Sequence, residues 1–428
     1  MSYVIKEAAG PEGISDAEIR EMLRERLKQA KKLDKILILP PDISRFYSYA
    51  GQITKMLCEL LPNAHIDIMP ALGTHIAMTD EEMDKMFPGI PHDRFIRHDW
   101  RNDVVHIGDV PADFVKRVSG GLLDDFPIRV EINKRLLDKS YDLILSVGQV
   151  VPHEVVGMAN YNKNIFVGCG GSGLINGSHF LGAVYGMENM MGRDNTPVHQ
   201  VFDYAEEHFC KDLPLCYVLT VIGQNEAGGN KVCSLAVGRD RKMFSDSIRV
   251  SQKNNLNFLD QPLRKVVAYL EPEEFHTTWI GNKAVYRTRM AIADGGELII
   301  IAPGVHRFGE DMDNDKLIRK YGFVGRDNVL KAVRENQDLG ENLSAAAHLI
   351  HASPDGRFKV TLAPGHMTKE EVENSSFSHM PLEEALAKYD VKSLKFGFNT
   401  VDGEEIYFVP NPSLGLWAHR KRFEEAGK

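Results

Sequence analysis

The 428-residue sequence has no apolar run long enough to cross a bilayer, and its longest stretches, such as Leu298 to Pro303, stop far short of about 20 residues. The opening MSYVIKEAAGPEG has no apolar core of the signal-peptide kind, so a cytoplasmic location is expected. Basic charge is also short: 51 Lys and Arg stand against 60 Asp and Glu, a formal net charge of -9, which argues against nucleic-acid or membrane partners. Any anionic ligand must then be held by local cations. Cysteine is scarce too. Cys58, Cys169, Cys210, Cys216 and Cys233 form no CxxC pair and no metal-ligand spacing, which fits small buried thiols in a reducing compartment. There is no G-x-S-x-G elbow, no P-loop, no internal repeat and no Ser/Pro-rich linker. His153-Glu154 begins like H-E-x-x-H, but Gly157 stands where the second histidine is needed, which excludes a zincin.

What is present is an alternation of helical and strand periods. SDAEIREMLRERLKQAKKL (15–33) reads as an amphipathic helix with a Ser/Asp cap, KILILPP (35–41) as a buried strand, 46–61 as helix and HIDIMPA (65–71) as strand. Thr79 to Glu82 reads as a capping box, DLILSVG (142–148) as another buried strand, 201–209 as helix, and 216–223 and 232–238 as strands. A second block follows: KVVAYLEP, a helical segment around 279–293, GGELIIIAP, helices near 313–336 and 342–351, RFKVTLAP and PLEEALAKY. The expected class is α/β: two α/β domains with mostly parallel or mixed sheets and a cleft between them. The first is assigned to 1–268 and the second, which would close the cleft, to 269–407, with about 408–428 as a segment that could pack back on the first.

The segment from Pro152 to Phe180 is rich in glycine and asparagine, and it places Lys163 between His153 and His179. It follows a strand, and ligands in open α/β sheets bind beyond the carboxyl ends of strands. Gly168-Cys169-Gly170-Gly171-Ser172-Gly173 matches G-x-G-x-x-G, but the apolar run before it is short, the LINGSH after it is poor in helix formers, and no acidic residue ends a second strand at the required distance. Two readings stay open: a loop giving a phosphate or rigid cofactor close backbone access, or a plain irregular loop. Among sixteen histidines, His75, His153 and His179 stand in tight Gly, Pro or Ser contexts after apparent strand ends. Asp42 and Arg45 follow the strand KILIL, as site residues or as a helix N-cap with an exposed arginine. A lysine used covalently needs to be held near its electrophile, and a bend of Asn and Gly could hold Lys163.

Pro-Asp-Ile-Ser-Arg at 41–45, LGTHIAMTDEEM at 72–83, His98-Asp99-Trp100, Pro152-His153, Lys163 and His179 together resemble, in order and spacing, the nickel-dependent lactate racemase family over most of the first 190 residues. The resemblance implies a cytoplasmic isomerase acting on a 2-hydroxy acid with a nickel pincer nucleotide, a pyridinium mononucleotide with two sulfur-bearing arms. It implies Lys163 as the tether, His179 as the protein ligand to nickel, and Asp42, Arg45, Gly168, Gly170 and Gly171 as cofactor contacts. His75 and His153 would be the acid/base pair, one taking the hydroxyl proton as hydride leaves the α-carbon for the cofactor. Arg45, Tyr286 and Arg287 would contact substrate. The implied partners are the small hydroxy acid and the accessory enzymes that build the cofactor; assembly into an oligomer stays open.

The chain departs from the family pattern at several points. Asn160-Tyr161-Asn162 and Asn164 flank Lys163 where the family has S-G-G-R beside the tether. Tyr286-Arg287-Thr288-Arg289-Met290 stands for Tyr-Gln-x-x-Lys, and Asn342-Leu343-Ser344 lacks the expected indole. These changes point to a substrate larger than lactate, such as a sugar acid. Two alternatives come from other classes: a nicotinamide-dependent 2-hydroxy-acid oxidoreductase using Gly168 to Gly173, and a non-catalytic sugar-acid-binding homologue.

Overall fold

The computed structural model describes residues 3–224 and 229–426. Contacts divide the chain into two compact units, Met1–Ser178 with Gly192–Asn255, and His179–Met191 with Leu256–Lys428. The border therefore falls at 255/256, earlier than the sequence suggested, and a short earlier segment is grouped with the second unit. The C-terminal segment also groups there, because Leu416–His419 pairs in parallel with Leu256–Leu259 and Glu404–Val409 with Leu263–Tyr269.

The first unit is built on a six-stranded sheet in the spatial order Val4–Glu7, Asn230–Gly238, Leu215–Gln224, Leu143–Gln149, Lys35–Leu39 and His65–Ile68. The last four are mutually parallel, and the first two run antiparallel. Ile36, Leu37, Ile38 and Leu39 have no exposed surface, which explains a strand that is apolar at every position rather than at alternate ones. Helix Asp16–Leu27 starts at a complete Ser15/Glu18 capping box and buries Ile19 and Leu23 in the same core as Ile36 and Ile38. Each such side chain contributes about 1.5–3 kcal/mol by leaving water. Asp80–Met86 likewise begins at a Thr79/Glu82 capping box.

The second unit has its own six-stranded sheet, ordered Ser378–His379, Lys359–Pro364, Ile292–Ala302, Leu263–Tyr269, Glu404–Val409 and Gly397–Val401. All neighbours are parallel except the last pair. Val267, Ile299, Ile301 and Phe408 form part of its core with Ala385 and Tyr389. The fold is α/β with mixed sheets, as the alternating periods indicated.

Two segments differ from expectation. The helical segment around 279–293 is shorter and broken, Thr278–Gly281 and Lys283–Thr288, with a strand starting at Ile292. The glycine-rich stretch read as helix-poor is a 14-residue helix, Ser172–Tyr185. Its glycines are packing positions: a Cβ on Gly177 would lie 3.0 Å from Ile128 Cγ2, and one on Gly173 would lie 3.0 Å from Arg129 Cβ. Close approach of another element outweighs the roughly 1 kcal/mol that each helical glycine costs. No helix among the described residues is long and apolar enough to cross a membrane.

Candidate active site

Three neighbouring parallel strands, Leu143–Gln149, Lys35–Leu39 and His65–Ile68, send their carboxyl ends to one edge of the first sheet. The loops beyond them carry His153, then Asp42 and Arg45, then His75. Asp42 caps the 3-10 turn Ile43–Ser48 through Ser44 N at 3.2 Å, and its other oxygen lies 2.6 Å from His75 Nδ1. It is therefore the N-cap that the sequence offered as one alternative, and it also holds the His75 ring. Burial alone would raise the Asp42 pKa, but the bonds from His75 and Ser44 outweigh it and hold the carboxyl below its usual value. An ionised carboxylate only accepts, so His75 donates from Nδ1 and presents a lone pair at Nε2 when neutral.

His153 has the opposite polarity. Its Nδ1 accepts from Val155 N at 3.2 Å within the hairpin Pro152–His153 and Gly157–Met158, so the neutral ring carries its proton on Nε2. His75 is largely exposed, whereas His153 is buried.

Lys163 sits at the N-cap of the π-helical turn Asn164–Gly168. Burial and the nearby Arg45 guanidinium lower its pKa to about 8, against the opposing pull of Glu154 and Asp42. It keeps some accessible surface, so the low value reflects the density of protein around the ammonium rather than complete enclosure. Lys163 Nζ and the Arg45 guanidinium make no hydrogen bond or ion pair among the described residues, which leaves two adjacent cations for an anion.

The departures beside Lys163 have structural causes. Asn160 and Tyr161 both lie in the left-handed region, φ 74° and 56°. The cost is offset by Tyr161, whose ring packs 4.4 Å from Tyr217 and stacks 4.9 Å from Phe244. Asn162 donates to Asp203 at 2.6 Å. Asn164 Nδ2 donates to Leu39 O and Ser146 Oγ, each at 3.0 Å, pinning the turn to two central strands.

Gly168 to Gly171 form a packing hub. A Cβ on Gly170 would fall 1.8 Å from Phe166 O, one on Gly171 2.5 Å from Glu131 Oε2, and one on Gly168 2.7 Å from Ala71 Cβ. Gly73 N donates to Gly168 O at 2.8 Å, tying the hub to the loop that carries His75. His98 donates from Nε2 to Gly170 O at 3.2 Å while its Nδ1 accepts from Asn133, and burial lowers its pKa. Glu131 caps the helix Ser172–Tyr185, its carboxylate accepting from Gly173 N at 3.1 Å and its carbonyl from Gly171 N at 3.1 Å. A dinucleotide loop needs those donors for pyrophosphate; here the carboxylate and the carbonyl of Glu131 occupy them.

Residues 6–192 match the family model of the lactate racemase N-terminal domain. By sequence, the likeness to lactate racemase is therefore to its N-terminal domain, over the first part of this chain. A structural-genomics crystal structure of a Thermotoga maritima protein is similar with a TM-score of 0.79 at 23% identity, covering 97% of this chain and all of that one. The lactate racemase apoprotein from Thermoanaerobacterium thermosaccharolyticum is similar with a TM-score of 0.67 at 18% identity, covering 97% of this chain and 94% of that one. At such identities the two structures establish the shared fold. No curated protein matches by sequence at a significant level.

Against this lactate racemase background, Asp42, Arg45, His75, His153 and Lys163 all lie on the loops beyond the three strands. His179 lies half-buried on the helix Ser172–Tyr185, at the first residue grouped with the second unit. No group of three or more His, Cys, Asp or Glu among the described residues could hold a metal. In the second unit, Tyr286 and Arg287 are buried on the helix Lys283–Thr288. Arg289 is engaged by Glu188, Asp355 and the carbonyls of His351 and Ser353, which makes it a structural clamp. Met290 has no exposed surface. Sequence reading missed Asn164 and Glu131 as supports, and met His98 only as part of His98-Asp99-Trp100, with no role assigned to it. A hydrogen-bonding residue immediately after the lysine was the available signal for Asn164; Glu131 comes from the hairpin Val104–Val110 and Ile128–Asn133, where no motif marks the role.

Proposed function

We propose that the chain is a racemase or epimerase of a 2-hydroxy acid larger than lactate, working with a nickel pincer nucleotide tethered at Lys163. The observation that carries this reading is the pair of oppositely poised imidazoles on the same strand ends as a lysine of lowered pKa and an unpaired arginine. Those residues fit such a group. The amine of Lys163 reaches its neutral, nucleophilic form at lower pH than an ordinary lysine, Arg45 supplies charge for a phosphate or carboxylate, and His179 offers one imidazole donor on a rigid helix. The bound group would supply reversible two-electron oxidation of the carbinol carbon.

The chain's own residues would move the protons. His75 Nε2 takes the hydroxyl proton from one enantiomer, and the ionised Asp42 at Nδ1 stabilises the imidazolium that results. Charged as an imidazolium, for which Nδ1 must exchange the Val155 N–H contact for a proton of its own, His153 would give its Nε2 proton to the oxygen when the other enantiomer forms. The reverse reaction exchanges the two roles, and an imidazole suits both because its proton affinity lies near neutrality.

The test is intact mass and chiral chromatography on protein co-expressed with cofactor-building enzymes. The wild type should carry a covalent adduct and interconvert C2 epimers of a hexonate at least tenfold better than lactate enantiomers. Lys163→Ala should carry neither adduct nor activity; an adduct of equal yield on that variant would overturn the assignment.

A further inference from the structure

Lys163 is bracketed by two anchored asparagines. Asn162, with no exposed surface, donates to Asp203 at 2.6 Å, and Asp203 is itself held by Arg241 Nε at 2.9 Å. Asn164 ties the other side of the bend to Leu39 O and Ser146 Oγ, and its backbone N–H donates to Tyr161 O at 3.0 Å. The lysine between them is only partly buried, and its amine makes no hydrogen bond or ion pair among the described residues. Of the charges around it Arg45 acts most strongly, ahead of Glu154 and Asp42, and the Arg45 guanidinium is likewise without an ion pair. All of these groups belong to the first unit.

A held amine beside an open guanidinium suits a carbonyl carbon that carries a carboxylate, because the anion meets the cation while the carbon meets the nitrogen. We propose that the chain without its cofactor binds 2-oxo acids covalently, as an imine between Lys163 Nζ and C2 with the carboxylate on Arg45. Only the ligand class, the oxidised counterpart of a 2-hydroxy acid, rests on the proposed function. Nζ adds to C2 and gives up one proton to the oxygen, forming a carbinolamine; a second proton then leaves Nζ, the C2–O bond breaks, and the oxygen departs as water. No oxidant or co-reactant is consumed. His75, whose bare Nε2 is backed by the Asp42 carboxylate, carries these protons. Burial and Arg45 lower the amine pKa to about 8, which gives Lys163 a neutral fraction at pH 7 that exposed lysines almost lack. The imine takes the nitrogen needed for attachment, so a 2-oxo acid and the cofactor exclude each other at Lys163.

Cyanoborohydride trapping tests this on the full chain expressed without cofactor-building enzymes. With pyruvate at neutral pH, intact mass should show a carboxyethyl group, and peptide mapping should place it on Lys163 about tenfold or more ahead of other lysines. Lys163→Met should lose that label. Hydroxyacetone offers the carbonyl without the carboxylate and should be trapped more weakly. Arg45→Gln should cut the pyruvate-to-hydroxyacetone ratio about tenfold, the scale of one hydrogen bond to a charged group. The ratio is the readout because losing Arg45 also raises the amine pKa, which slows both ligands alike. No label at Lys163, label spread evenly over surface lysines, or an unchanged ratio in Arg45→Gln overturns the proposal. A cofactor adduct at Lys163 without pyruvate trapping overturns the imine alone, whereas trapping on a chain that takes no cofactor supports the imine and overturns the racemase reading alone.

Discussion

Replacing Lys163 by methionine should stabilise the first unit at neutral pH and leave it almost unchanged in strong alkali. The folded-state pKa of about 8 lies below the ordinary 10.5, so the fold disfavours the ammonium. A lowered base of this kind costs stability fully below its folded pKa, and the cost fades as pH rises through 8 towards 10.5. At 1.36 kcal/mol per unit, and allowing for solvent screening of the accessible part, the cost is about 2–3 kcal/mol at pH 7. Methionine has a similar length and no charge to desolvate. The first unit spans 178 residues and a further 64, and for that size the gain corresponds to a rise of about 5–10 °C in its unfolding midpoint. Thermal unfolding of both proteins near pH 7 and near pH 10.5 measures it. A difference independent of pH, or a methionine variant less stable at neutral pH, would refute the account of Lys163 as a desolvated amine. The same shift has a chemical use: roughly one amine in ten is neutral at pH 7, against fewer than one in a thousand for an ordinary lysine.

Gly170→Ala should lose about 3 kcal/mol or more, because its Cβ would meet backbone atoms of Phe166 that cannot move without unwinding the turn after Lys163; urea unfolding at wild-type concentration would contradict this. Asp42→Asn should slow isomerisation by matured protein about 10–100-fold, the value of a charge-assisted bond to a charged imidazole, with turnover at the wild-type rate as the contrary result.

Where the sequence was informative, one physical cause acted locally. Ser15 with Glu18 and Thr79 with Glu82 define helix starts through contacts three residues apart, and a strand buried on both faces, such as Lys35–Leu39, is written as an unbroken apolar run. The site loops were legible because they follow such strands. The helix Ser172–Tyr185 was not, since its glycines are set by Ile128 and Arg129, far away in the chain. Asn160 and Tyr161 gave no sign of their left-handed backbone, which depends on the aromatic packing of Tyr161. His348 reaches Trp279 and Asn282 only through tertiary structure, so no spacing could reveal that cluster.

The chain's passage between its two units at 178/179, 191/192 and 255/256 separates ancestry from mechanics. The family segment 6–192 omits Leu215–Gln224 and Asn230–Gly238, which lie between Leu143–Gln149 and Val4–Glu7 in the sheet. A fragment cut at its end would expose Leu143–Gln149 as a bare, apolar edge and leave Val4–Glu7 with nothing to pair against, an invitation to aggregate. The matched segment thus ends before the sheet it belongs to is complete, and exchanging it between relatives would require carrying the strands beyond it as well.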